Sequence, residues 1–368
     1  MNRKPPDVLV IGGGIVGMLT ARELAMAGRA VTLVERDRVG HSASRAAGGM
    51  LSSMAPWDQP EALAAISALS LPMLSELCTA LENDTGIDCE YRRTGVIYLE
   101  CAQIEATRAY AEHTGERMRV LEPDEVVNLE PAAARVEGKS AYFPDLAQVR
   151  NPRLMDALAR DLRRRGVEIL EEAGDVALER AGEGVAVTTT AHGRLTAPDV
   201  VLAAGAWSGE VAKGVGLDLP VKPVRGQIIW YQAPEAGIRH VLIRDMKYVV
   251  PRQEGVVLVG STLEDAGFDD RPTAEAREML EGVAKRIVPL LGRLPVQGHW
   301  AGLRPGSPGG IPYTGAVPGI PGLWLNTGHH CYGLKLAPGS AVLLKALITG
   351  EKPPLDPAPF DPGARMAL

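Results

Sequence analysis

Apolar residues along the chain fall into short continuous runs and longer helical patterns, and the two alternate. Residues 8–11, Val-Leu-Val-Ile, are continuously apolar, as expected for a strand buried on both faces of a parallel sheet. They run into Gly12-Gly13-Gly14-Ile15-Val16-Gly17. Residues 15–27 then have helical character and stop at Gly28, which suits the position just past a helix. A second apolar run at 30–34 is closed by Glu35. Residues 200–204 read as another buried strand, ending at Gly205 with a helix starting near Trp207. Near the C-terminus a strand at 323–326 precedes a helix-like stretch at 336–348. The segments 153–165 and 274–291 are also helix-like. By contrast 221–231, 248–251 and 256–260 are β-rich with Gly and Pro between them, and 178–180 with 185–190 reads as a hairpin. There is no internal repeat, and the proline-rich stretch 353–362 reads as a surface tail.

Composition narrows the class. The 368 residues suggest two domains, and a chain of this length needs neither metals nor disulfides to hold a core. The net charge of −6 argues against a nucleic-acid protein. The basic cluster at 160–165 reads as the solvated face of a helix. Arg3 and Lys4 ahead of an apolar run suggest a leader peptide, but the run stops at three glycines and no small-residue cleavage site follows. Elsewhere no stretch of about 18 apolar residues stands out, so no spanning helix is expected. Cys78, Cys89, Cys101 and Cys331 show no CxxC spacing, which points to a reducing compartment and a cytoplasmic protein. The seven histidines show no ligand spacing, so no metal site is expected. Glycine is the departure from the average, at 41 of 368 residues.

The glycines of the first turn have separate tasks in binding a dinucleotide. Gly12 permits the turn, Gly14 lets a pyrophosphate approach the backbone, and Gly17 lets helix and strand pack closely. The helix N-terminus offers unpaired N–H groups to the phosphates. Glu35, about 20 residues further on, is placed for a ribose with free hydroxyls. Strand, glycines, helix, second strand and acid occur in that order, which makes the motif far more specific than GxGxxG alone. It does not separate NAD from FAD. The small and hydroxyl residues of 40–51 (Gly-His-Ser-Ala-Ser-Arg-Ala-Ala-Gly-Gly-Met-Leu) suit a loop pressed against a rigid ligand.

Ala46 to Leu51, the AGAWS of 204–208 and the WAGLRPG of 300–306 resemble the FAD-dependent amino-acid oxidases of the D-amino-acid oxidase superfamily. Within it they are most similar to the bacterial glycine oxidases of thiamine biosynthesis. Tyr248-Val249-Val250-Pro251-Arg252 and Val259-Gly260-Ser261-Thr262 share the likeness, which spans nearly the whole chain. The resemblance implies an α/β protein with a Rossmann-like FAD-binding domain and an interleaved substrate domain built on an antiparallel sheet. Residues 1–90, 140–220 and 300–368 would form the former, and 91–139 and 221–299 the latter.

The resemblance also implies non-covalent FAD and a small amino acid as substrate: glycine first, then sarcosine, D-alanine, D-proline or D-hydroxyproline. Hydride would pass from the substrate Cα to flavin N5, the imine would hydrolyse to an oxo acid, and O2 would be reduced to H2O2. Arg304 matches the arginine that takes the substrate carboxylate, in a planar fork suited to that group. Tyr248 matches a tyrosine that bonds the same carboxylate, and Lys335 a lysine near flavin N1 and C2=O. Cofactor contacts carry over to Gly12, Gly14, Ile15, Val16, Gly17, Glu35 and Arg36. They also carry over to Ser42, Ser44, Arg45, Ala46, Ala47, Gly49, Met50 and, through its backbone, Val176. Ala204, Gly205, Trp207, Arg304, His330, Gly333, Leu334 and Lys335 complete the set. This chain departs from the glycine oxidases at Cys331, where they have an arginine, and near Leu263, where they have a methionine. Arg45 is a candidate replacement charge. Two alternatives stay open: a dehydrogenase of the same fold passing electrons to a quinone or partner subunit, and a flavin-binding subunit without substrate chemistry. A homo-oligomer is equally compatible.

Overall fold

The first apolar run forms the buried strand Val8–Ile11, paired in parallel with Val31–Val34 on one side and Asp199–Leu202 on the other. The computed structural model describes residues 5–366, so Arg3 and Lys4, which raised the question of a leader, lie outside the described residues. The sheet has six strands in the order Tyr313–Ala316, Leu323–Thr327, Asp199–Leu202, Val8–Ile11, Val31–Val34, Glu168–Leu170. All pairs are parallel except the edge strand Tyr313–Ala316. Alternation sorts its side chains. Val8 and Val10 face the helices Ile15–Met26, Glu61–Thr85, Asn151–Arg164 and Gly333–Thr349. Leu9 and Ile11 face a three-stranded antiparallel sheet, Val176–Ala181, Gly184–Thr189 and Gly193–Thr196. Both faces are therefore covered, which is why these strands are apolar throughout.

A second sheet has eight strands. Their order is Gly298–Gly306, Lys222–Gln232, Val256–Gly260, Lys247–Pro251, Val241–Arg244, Val96–Tyr98, Ser140–Phe143, Arg119–Leu121. Only the pair of Val241–Arg244 with Val96–Tyr98 is parallel. One face packs on the helix Ala274–Ile287 through Ile229, Val249 and Val259 against Leu280 and Val283. The other face carries Tyr98, Ile228, Tyr248 and Val250 toward Met50, Met54 and Trp57.

Several expectations need correction. Residues 140–143 and 300–306, assigned to the cofactor part, are strands of the eight-stranded sheet. The WAGLRPG segment belongs to a nine-residue strand despite Pro305, because glycines and prolines face each other across it in register. The helix expected over 274–291 stops at Ile287, since Pro289 forces Val288 into extended geometry. The proline-rich tail is not a loose surface segment. Phe360 is fully buried among Leu63, Ile66, Leu336 and Leu343, and the Arg365 guanidinium donates to the Pro312 carbonyl at 2.7 Å.

Two helices among the described residues are long and apolar enough to cross a membrane, Glu61–Thr85 and the stretch from His330 to Thr349, with mean hydropathy 1.5 and 1.3. The sequence reading expected none. They pack on each other: the Ser70 hydroxyl accepts from Gly339 N at 2.7 Å and donates to Leu336 O, bracing the second helix around Pro338.

Candidate active site

The C-terminal ends of the parallel strands open into a cavity of about 490 Å³ that runs from the glycine turn to the face of the eight-stranded sheet. Ligands of open α/β sheets bind at such a point, where the strand order reverses. Gly12 has φ +109°, and a side chain at Gly17 would collide with the Gly12 carbonyl, so the turn and the close packing both require glycine. Gly14 precedes a helix that has no acidic residue in its first turn and no side-chain cap from Gly14 itself. The Ser44 hydroxyl accepts from Ile15 N at 3.0 Å. Glu35 accepts from Gly13 N at 2.6 Å and Asp37 N at 3.0 Å. Burial raises its pKa, opposed by those two N–H groups. Arg36, Val176 and Trp207 continue the same end of the wall, with the Arg36 guanidinium 4.3 Å from the Trp207 ring centroid.

The loop between Ser44 and Met50 is held by its carbonyls. Asn151 Nδ2 donates to Ser44 O and Ala47 O, Trp300 Nε1 to Ala46 O, and Arg252 Nη2 to Gly48 O. Arg252 Nη1 also donates to Gln148 Oε1 and Val149 O. Burial brings its pKa down to about 10, so it stays charged near neutral pH. Side chains from three separate segments thus fix the loop against the cavity, as a rigid ligand requires.

At the far end Arg304 is held before any ligand arrives. Its Nη2 donates to Ser261 Oγ at 2.8 Å and its Nη1 to Thr262 O at 3.1 Å. The guanidinium lies over Gly226 of the paired strand, where any Cβ would fall on it. Tyr248 is 5% exposed and seated between two glycines. A Cβ at Gly48 would lie 2.7 Å from its hydroxyl, and one at Gly260 would meet its ring. Burial raises the Tyr248 pKa, opposed by the Arg304 charge, so the phenol remains a neutral donor.

The loop into the last long helix closes the cavity. His329 is buried, bonds Ser340 Oγ through Nε2 at 2.9 Å, and burial pushes its pKa down to about 3. His330 has φ +48°, and its buried Nδ1 has no hydrogen-bond partner among the described residues. Burial, then the Arg304 charge, lowers its pKa, so it brings no positive charge of its own. Burial also raises the Cys331 thiol, opposed by Arg304. The helix N-terminus at Gly333 carries no acidic residue and no side-chain cap.

Of the residues singled out from sequence, all but three line this cavity. Gly17 acts in helix packing, behind the turn. Arg45 points outward and pairs with Asp156 at 2.9 Å, which removes it as a replacement charge. Lys335 does not itself line the cavity, but its Nζ donates to Ser53 Oγ at 2.6 Å and lies 5.5 Å from the Tyr332 ring centroid, and both of those residues are in the wall. Burial pulls its pKa down to about 8, opposed by Glu116, and among the described residues no carboxylate lies within ion-pair distance. Sequence reasoning missed Asn151, Gly226 and Ser261 as supports. Gly226 and Ser261 each lie within a recognised β-rich or family-like segment, but their effect depends on what lies across the sheet.

The residues present fit FAD: a glycine turn at a helix N-terminus, a carboxylate at the end of the second strand, a second helix N-terminus and an arginine in one continuous cleft. A family model described as FAD-dependent oxidoreductase, DAO, matches residues 7–347. The glycine oxidase of Pseudomonas aeruginosa is 42% identical, covering 98% of this chain and 99% of its own. That of Pseudomonas putida is 39% identical, with coverage of 98% and 99%. The crystal structure of glycine oxidase from Geobacillus kaustophilus matches with a TM-score of 0.92 at 29% identity, covering 98% of both chains. The match runs nearly the whole length of the chain, and this chain belongs to the DAO family of FAD-dependent oxidoreductases.

Proposed function

We propose that this FAD-dependent amino-acid oxidase takes the carboxylate of a small amino acid on Arg304, with glycine as the first candidate and sarcosine or a small D- or imino acid next. The observation that carries this reading is the guanidinium fixed over Gly226 by Ser261 and Thr262, at the opposite end of one cavity from the nucleotide cradle. A planar cation held in place before binding orients a carboxylate without paying for reorganisation at the moment of reaction. Bound FAD supplies the two-electron acceptor for hydrogen leaving the substrate Cα. Tyr248, kept protonated by burial, adds a neutral donor beside the anchor. Arg304 is the guanidinium in the wall at this end, so the pocket suits substrates that carry an α-carboxylate. The cytoplasm is the compartment we propose, supported by four cysteines in the free thiol form.

The test is anaerobic mixing of the flavin-loaded protein with a panel of small amino acids, followed by admission of oxygen. Loss of flavin absorbance with glycine or a listed congener, then its return with stoichiometric peroxide, is the expected result. Bleaching that oxygen does not reverse would favour an electron-transferring dehydrogenase. No bleaching across the panel would favour a subunit without substrate chemistry.

A further inference from the structure

The loop after Val256–Gly260 leaves the eight-stranded sheet and reaches the parallel one. Its base is fixed by Arg225, 8% exposed, whose Nε and Nη2 both donate to Glu264 Oε2, at 3.0 and 2.6 Å. Arg225 Nη1 also reaches the carbonyls of Asp269 and Arg271, and Gln227 Nε2 donates to Glu264 Oε1 at 2.8 Å. On this tethered loop, otherwise rich in acidic residues, Phe268 is 42% exposed and stacks on Trp207, with centroids 5.6 Å apart and planes 30° apart. Trp207 belongs to the other sheet's side of the molecule and lines the cavity beside Arg36, Glu35 and Val176. A half-exposed phenyl ring costs hydration, and its one aromatic partner is a wall of the nucleotide cradle.

We infer that Phe268 is a cofactor-retaining residue: through its stack on Trp207, a residue of the cavity wall, the substrate-side loop braces the nucleotide end of the cavity, so FAD leaves faster when that stack is lost. The inference rests on FAD occupying the cradle and is independent of which amino acid is oxidised. The stack backs the Trp207 ring against the cavity while Arg225 holds the loop from behind, so retention couples the two sheets across the ligand.

The experiment compares purified holoenzyme with Phe268→Ala, Phe268→Trp and, as a control on the same loop, Asp265→Ala, whose exposed carboxylate pairs with Lys222. FAD loss is followed on dilution by the rise of free-flavin fluorescence, and the dissociation constant by titrating apoprotein with FAD. Phe268→Ala is expected to release FAD about fivefold to tenfold faster and bind it correspondingly more weakly. Phe268→Trp should hold FAD as the parent does, and Asp265→Ala should be unchanged. Parent-like release from Phe268→Ala overturns the inference. So does equally fast release from Asp265→Ala, which would assign retention to the loop as a whole. A protein that no amino acid reduces, yet whose FAD retention depends on Phe268, would overturn the substrate reading and leave this one standing.

Discussion

Arg304 is held in place by residues that have no charge of their own. Its guanidinium occupies the space a side chain at position 226 would take, and Ser261 and Thr262 use two of its donor directions. Gly226→Ala is therefore expected to displace the anchor and raise KM for the amino acid by about 10-fold to 100-fold, the cost of losing a charge-assisted bond, with a smaller effect on kcat. Arg304→Lys should do at least as much, because an ammonium cannot present the planar fork. Steady-state kinetics on both variants check this; an unchanged KM in either would show that the carboxylate binds elsewhere. Arg304 was legible from the sequence because its motif is distinctive. Gly226 was not, because an absent side chain has meaning only when the neighbour across the sheet is known.

The helix Gly333–Thr349 buries an amine whose direction the sequence alone does not give. Its N-terminus meets the cavity as expected, while Lys335 turns back to Ser53. Position in the first turn sets the height of a side chain along the axis, and packing against Ser53 and Tyr332 sets its direction. The folded-state pKa of about 8 lies below the ordinary 10.5. Between those values the unfolded chain binds a proton that the folded protein does not, so stability rises with pH across that window. The melting temperature of the parent relative to Lys335→Met is accordingly expected to climb from about pH 8 to 10.5. A difference that stays constant over this range, measured by thermal denaturation, would show that the buried amine carries no such penalty.

The six-stranded and eight-stranded sheets share one cavity, and the chain crosses between them repeatedly. Its last segment returns to seal the helical layer: Phe360 fills a site between the helices Glu61–Thr85 and Gly333–Thr349. Phe360→Ala should cost about 3–5 kcal/mol by leaving a cavity there, and denaturant unfolding of the variant measures it. A loss below ~1 kcal/mol would return the tail to the surface role its prolines suggested. Composition misled at this scale because proline-rich sequence describes a chain without regular hydrogen bonding, which can run over a surface or be pinned to it.

Patterning and motif were enough to show the parallel sheet, its glycine turn and the family, and to single out Arg304 as a candidate anchor. Each depends on contiguous residues: a strand buried on both faces must be apolar throughout, and a phosphate-binding turn needs its glycines in order. The tertiary structure alone decided that 140–143 and 298–306 belong to the eight-stranded sheet, that Arg45 pairs with Asp156 and Lys335 bonds Ser53, and that Gly226, Asn151 and Arg252 shape the cavity. Those facts concern partners far apart along the chain. Nothing in local sequence records which carbonyl, ring or absent side chain a fold will bring opposite them.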